Sequence, residues 1–293
     1  VTGTSTLPVD DPAAPFGTWL RSWDLTPDGP PLRTHSSDLL PVRTATGVPA
    51  MLKLPREPHE RRGSLLMRWW SGAGAAHVFA AGEGGALLLE RATGTRSLAA
   101  WSRDGNDDEA MEVLCRALMR LHAPRTSALP DGLLPLRIWF DDLEPAARVH
   151  GGVLRRASDI ARRLLDAPED VVPLHGDLHH DNVLDFGPQR GWLAIDPKGL
   201  LGERGFDYGN LFSNPQPPGE VRSEVALQPG VFERRFEVVA REARVERTRL
   251  LQWIVAYSGL SAAWIIGDGD DPSLDIGVAE RALALLDTHA APT

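Results

Sequence analysis

The run Leu174-His175-Gly176-Asp177-Leu178-His179-His180-Asp181-Asn182-Val183-Leu184 constrains this chain most, together with Asp196 in Leu193-Ala194-Ile195-Asp196-Pro197-Lys198-Gly199, fourteen residues after Asn182. Two carboxylates and a carboxamide at these intervals offer one proton acceptor and two hard oxygen ligands, the set that an attacking hydroxyl and a divalent cation on phosphate oxygens require. Val171, Val172 and Leu174 before the run, and Val183, Leu184 and Trp192 to Ile195 after it, read as short buried strands. The polar loop is therefore pinned at both ends.

The spacing matches a protein-kinase catalytic loop: His-x-Asp, four residues, Asn, then an Asp opening an Asp-x-Gly turn. It departs only in that Gly199 lies three residues after Asp196. On this reading Asp177 orients and deprotonates an acceptor hydroxyl, while Asn182 supplies a neutral and Asp196 an anionic magnesium ligand. A rival reading takes the crowding of His175, Asp177, His179, His180 and Asp181 as a zinc site, but zinc hydrolases usually draw a further ligand from a distant segment. A third treats them as capping and turn residues.

A second landmark is Pro49-Ala50-Met51-Leu52-Lys53-Leu54, an apolar strand with one Lys. Lys53 is placed to meet nucleotide phosphates, and Glu60 to pair with it from a helix whose pattern runs through Leu65, Leu66, Trp69 and Trp70. Glu57 is the rival partner. No Gly-x-Gly-x-x-Gly or Gly-x-x-x-x-Gly-Lys-Ser/Thr precedes Lys53. Thr34-His35-Ser36-Ser37 is the candidate substitute, with Ser36 and Ser37 presenting backbone N–H groups to phosphate; an ordinary polar hairpin turn is the alternative.

These residues, with Arg120-Leu121-His122-Ala123-Pro124-Arg125 and Gly259 to Asp270, carry a resemblance that runs from about Trp23 to the end. The chain resembles the aminoglycoside and hydroxyurea phosphotransferase family, most closely its streptomycin 6-kinase branch. The resemblance implies an α+β, protein-kinase-like two-lobed fold and ATP, or GTP, with Mg2+ as cofactors. It implies Asp177 as base, Asn182 and Asp196 as metal ligands and Lys53 on the phosphates. The backbone from Glu90 to Ala92 is then the adenine-binding hinge. The implied activity is phosphorylation of streptomycin on a streptidine hydroxyl, the 6-OH. Another small acceptor such as hydroxyurea, or a non-catalytic kinase-fold binding module, are the alternatives.

Organisation agrees. Residues 1–22 read as an amino-terminal extension, 23–92 as a small nucleotide-binding lobe, and 93–293 as a catalytic and acceptor-binding lobe. A helix begins at Asn106 or Asp107 and buries Met111, Leu114, Cys115, Leu118 and Leu121. The single cysteine, Cys115, argues against a disulfide framework and for a reducing compartment. No stretch approaches the apolar length of a bilayer span, so a cytoplasmic protein is expected, a monomer in preference to an obligate oligomer. A net charge of −9 with no basic stripe disfavours nucleic acid and suits a polycationic acceptor. Streptomycin's guanidinium groups would pair with carboxylates, for which Glu203, Asp268 and Asp270 are the candidates, with Trp253 or Trp264 offering an aromatic face. Asp207 is expected instead to brace the catalytic loop, with His175 in a similar role.

Overall fold

A computed structural model describes residues 14–34, 36–215 and 225–290. Residues 1–13, His35 and most of the loop Pro215-Gln216-Pro217-Pro218-Gly219 lie outside them. The amino-terminal part is an antiparallel sheet of β1 (Thr26–Pro27), β2 (Leu32–Arg33), β3 (Ser37–Arg43), β4 (Pro49–Pro55), β5 (Val78–Ala81) and β6 (Leu87–Glu90). Its main order is β1-β3-β4-β6-β5, with β2 paired to β3. Strand alternation divides this sheet by chemistry. Leu40, Val42, Ala50, Leu52 and Leu88 form one buried face, covered by Phe16 and by Trp19 and Leu20 of α1 (Gly17–Ser22). On the other face Lys53 lies opposite Leu39 and Leu87, and Met51 opposite Leu89.

Between β4 and β5 runs α2 (Pro58–Trp70), whose first turn holds a Pro and Glu60. It ends at Ser71 in the left-handed region, φ 48°. Glu60, Gly63, Ser64, Met67 and Trp70 recur at helical spacing and turn inward. A Cβ on Gly63 would stand 1.9 Å from the Pro197 carbonyl oxygen, and one on Gly199 (φ 74°) would stand 2.7 Å from the Arg62 backbone. Only glycine lets this helix approach the Asp196 loop so closely.

After an irregular stretch from Arg91 to Ser97 the chain becomes mostly helical: α3 (Leu98–Arg103), α4 (Asp107–His122), α5 (Leu136–Trp139), α6 (Leu143–His150) and α7 (Gly152–Asp166). The carboxyl-terminal part adds α8 (Gly205–Gly209), α9 (Val231–Ala243), α10 (Arg247–Gly267) and α11 (Ser273–Ala290). α4 buries the five positions expected of it, Cys115 among them. α7 buries Leu154, Ala157, Ile160, Ala161 and Leu164, while Arg156 pairs with Asp287 on the surface. Small sheets interrupt the helices: β7 (Leu134–Pro135), β8 (Val171–Leu174) and β11 (Leu200–Glu203) form one, and β9 (Val183–Asp185) with β10 (Trp192–Ala194) a hairpin.

α10 is apolar on all sides, as a helix enclosed by others must be, and packs against α6, α7, α8 and α11. With mean hydropathy 1.4 it meets the length and apolarity of a bilayer span, which corrects the expectation that no stretch does. Sixty-seven per cent of that window is buried inside the protein, as in the core helix of a globular fold. Gly63→Ala should force α2 away from the Asp196 loop and destabilise the protein by about 1–3 kcal/mol, the usual cost of overpacking. Urea denaturation of the variant checks this, and an unchanged midpoint contradicts it.

Candidate active site

The loop between β8 and β9 is shaped by buried hydrogen bonds before any substrate chemistry. The Asp207 carboxylate accepts the N–H of His175 at 2.9 Å and of Gly176 at 2.8 Å, and lies 2.8 Å from His122 Nε2. Asp207 thus braces the loop, as expected from sequence. His175 is fully buried: its Nε2 donates to the Ile195 carbonyl at 2.7 Å and its Nδ1 accepts the Asp177 N–H at 3.3 Å. Those two bonds require the neutral Nε2–H tautomer, and burial pushes the His175 pKa down to about 4. Asn182 Nδ2 donates to the Asp177 carbonyl at 2.7 Å, which leaves its Oδ1 for another partner. His179 accepts the Asp181 N–H, whereas His180 is turned inward and held neutral by burial and by Arg235. The three histidines thus diverge, each with its own setting.

The Asp196 loop docks on this frame through main-chain bonds, Ile195 N–H to Asn182 at 2.9 Å and Lys198 N–H to His175 at 2.7 Å. Asp196 itself has φ 65°, a conformation that Asp tolerates better than most side chains and that often marks functional positions. Lys53 contacts both Glu60 and Asp196. Lys198 Nζ lies 3.5 Å from the other Glu60 oxygen and 3.3 Å from Asp177 Oδ2. Asp177, Lys198, Glu60, Lys53 and Asp196 therefore form one chain of alternating charge. Burial alone raises the Glu60 pKa, but Lys53, Lys198 and Ser36 outweigh it and hold the carboxyl below its ordinary value. Burial lowers that of Lys53 against the pull of Glu60.

This charge chain separates two cavities. The smaller, about 230 Å³, has apolar walls from Leu39, Met51, Leu89 and Phe186 and a polar end at Lys53 and Asp196. Glu90 and Ala92 lie along its edge, the Glu90 side chain being engaged by Arg190 at 3.0 Å. The larger, about 640 Å³, holds Asp177, Lys198, Asn210, Tyr257, Trp139 and Trp264. An apolar slot with Lys53 and Asp196 at one end has the chemistry to take a nucleotide, an apolar base and charged phosphates. Asp196 and Asn182 Oδ1 are hard oxygen donors suited to a divalent cation beside it.

Several sequence expectations are corrected here. Ser36 and Ser37 direct their hydroxyls to Glu60, at 3.0 and 3.4 Å, and the N–H groups of Thr34 and Ser37 bond within the turn. The Ser37 N–H is thus engaged within the turn and both hydroxyls support the Lys53 partner, while Thr34 and Ser37 line the smaller cavity beside Lys53. The rival Glu57 precedes α2 as its N-cap residue, and Glu60 makes the pair. Glu203 is not a cavity residue: it is 3% exposed and bound by Arg249 at 2.6 Å, by Trp253 Nε1 at 2.6 Å and by the Glu169 N–H. Trp253 is fully buried beside it. Asp268 and Asp270 are exposed at the end of α10 and do not line the larger cavity. Its aromatic corner is instead Trp264 edge-on to Trp139, ring centroids 5.4 Å apart, with Trp264 Nε1 bonded to Asp142 at 3.0 Å. Asn210, Tyr257 and Trp139 carry no sequence signal, because segments far apart in the chain bring them together.

This architecture has solved counterparts. A choline/ethanolamine kinase family protein from Mesorhizobium loti superposes with TM-score 0.59 at 17% identity, covering 88% of each chain. The fold is therefore that of the protein-kinase-like phosphotransferases, α+β and two-lobed. Residues 22–269 match the aminoglycoside/hydroxyurea antibiotic resistance kinase family, and the chain belongs to it. A streptomycin 3″-kinase of Klebsiella pneumoniae is 52% identical over 92% of this chain and 100% of its own length. A streptomycin 6-kinase of Streptomyces griseus is 33% identical over 84% and 80%.

Neutral burial of His175 makes a pH prediction. Between its ordinary value of 6.5 and about 4, the unfolded chain binds a proton that the native state refuses. The His175 contribution is therefore intact above pH 6.5 and is lost as pH falls toward 4, by roughly 3 kcal/mol in all. Urea unfolding from pH 7.5 to 4.5 should show that loss, flattened in His175→Asn; an identical slope in the variant refutes it.

Proposed function

We propose that this protein transfers the γ-phosphoryl group of ATP to streptomycin, at the 3″-hydroxyl in preference to the 6-hydroxyl. The observation that carries the reaction is the charge chain from Asp177, in the larger cavity, through Lys198, Glu60 and Lys53 to Asp196, in the smaller. It joins an acceptor site to a nucleotide site. The larger cavity, about 640 Å³, suits a drug-sized acceptor better than hydroxyurea. The 52% identity to the 3″-kinase, against 33% to the 6-kinase, supports the 3″ position over the 6-hydroxyl that the resemblance implied.

In this reading adenine fills the slot between Met51 and Phe186 at the edge formed by Leu89 to Ala92, and Lys53 meets the phosphates. Asp196 and Asn182 would hold a magnesium ion, which would neutralise phosphate charge. Asp177 aligns the acceptor hydroxyl and takes its proton as the oxygen–phosphorus bond forms and the bond to the ADP oxygen breaks. Trp264 and Trp139 offer an aromatic corner to the acceptor's cations, with Asp142 withdrawing none of their face because it binds at the indole N–H edge.

Asp177→Asn should lower kcat by about 100- to 10,000-fold with folding intact, and Asp196→Ala should abolish metal-dependent transfer. Labelled ATP and GTP with streptomycin and hydroxyurea, followed by NMR of the phosphorylated product, separate acceptor, nucleotide and position. A 6-phosphate product overturns the regiochemistry, and near-normal turnover of Asp177→Asn overturns the base. Trp264→Leu should raise KM for streptomycin by about 3- to 30-fold, the range of a cation–π contact; an unchanged KM removes Trp264 from acceptor binding.

A further inference from the structure

The chain has 31 Lys and Arg residues, of which only Lys53 and Lys198 are lysines. Both meet the same carboxylate, one on each Glu60 oxygen. The other cationic side chains of the Lys and Arg set are all arginines, so the two lysine ammonium groups both lie where the two cavities join. Arginine binds a carboxylate through a planar fork that fixes it in place. An ammonium is a compact charge with three rotatable donors, able to exchange one oxygen partner for another.

Lys198 is held for such an exchange. Its side chain is 16% exposed and lines the larger cavity, with Nζ 3.3 Å from Asp177 Oδ2. Its backbone is fixed by the bond to His175 and by Gly199, which fits closely against α2. Gly176 leaves the space: a Cβ there would stand 3.0 Å from Lys198 Cβ. Lys198 thus lies between the group that meets the acceptor hydroxyl and the carboxylate that holds the nucleotide lysine.

We propose that Lys198 is a catalytic residue that contacts the phosphoryl group in transit, with Glu60 setting the spacing between the two lysines. This rests on the phosphotransferase reading above and assigns it a second cation. Lys198 neither gives nor takes a proton. The acceptor oxygen bonds to phosphorus, ADP leaves with the electron pair of the broken bond, and Asp177 receives the proton. As charge builds on the phosphoryl oxygens, Lys198 releases Asp177 and binds them, which also frees the base at the moment it is needed.

Lys198→Ala should lower kcat by about 100- to 1,000-fold, the loss typical of one group aimed at transition-state charge. Affinities for ADP alone and for the acceptor alone should stay within about threefold of wild type. Affinity for the ADP–aluminium fluoride–acceptor complex should fall in proportion to kcat, which a merely structural residue would not cause. Lys198→Cys treated with 2-bromoethylamine restores an ammonium at that place and should recover activity; the natural Cys115 is fully buried, and burial raises its thiol pKa. A near-normal kcat in Lys198→Ala, a loss confined to ground-state binding, or no recovery on aminoethylation of a folded Lys198→Cys overturns the assignment. A wild-type protein that neither transfers phosphate nor hydrolyses ATP removes the phosphotransferase reading itself. Active wild type beside an unaffected Lys198→Ala removes only the role of Lys198.

Discussion

Glu60 is the interaction on which the rest of this structure depends. Its carboxylate has no solvent exposure, yet it stays charged because Lys53, Lys198, Ser36 and Ser37 surround it. A buried anion tolerates the loss of a partner poorly; removing one typically costs about 3–5 kcal/mol. The requirement fixes four pieces of chain relative to one another: the turn before β3, the middle of β4, the first turn of α2 and the loop after β10. The two cavities owe their relative placement to that convergence.

Around this point the protein uses backbone contact where other folds would use side chains. Gly63 and Gly199 let α2 rest against the Asp196 loop, and a methyl group at either would collide with main-chain atoms. Asp207 performs a similar task for the catalytic loop by accepting two consecutive N–H groups. The loop is thereby held by main-chain hydrogen bonds to one buried carboxylate, and preorganised charge is what stabilises a phosphoryl group in transit. Membership of an antibiotic resistance kinase family fits such a frame: the smaller cavity is built on the sheet and the Asp196 loop, while the larger is walled by α5, α10, the end of α3 and the segment after α8.

The residues that gather around the smaller cavity were legible in the sequence, and the walls of the larger one were not, for reasons visible at single residues. Lys53, Asp177, Asn182 and Asp196 lie on short strands and loops whose side-chain directions follow from strand alternation and fixed spacing. Glu60 follows from its distance to Lys53. Glu203 was misjudged because a carboxylate near the motif looks the same whether it meets water or, as here, Arg249 and the Trp253 indole. Trp253 and Trp264 share a helical face by period, yet one is sealed in the core while the other reaches the cavity near the end of α10. Periodicity gives a face, and only the packing of neighbouring helices says how far along that face the core extends.

By itself, the sequence determined which carboxylates, carboxamide and lysine are candidates for proton, metal and phosphate chemistry, and that short strands pin the loop that carries Asp177 and Asn182. Those properties reside in local spacing and side-chain type. Tertiary structure alone decided that the chain's two lysines share one buried carboxylate, that Ser36 and Ser37 serve that carboxylate, and that Trp139, Asn210, Tyr257 and Trp264 form one wall. These relations depend on how helices and strands distant in sequence pack, and packing depends on the whole set of buried surfaces at once.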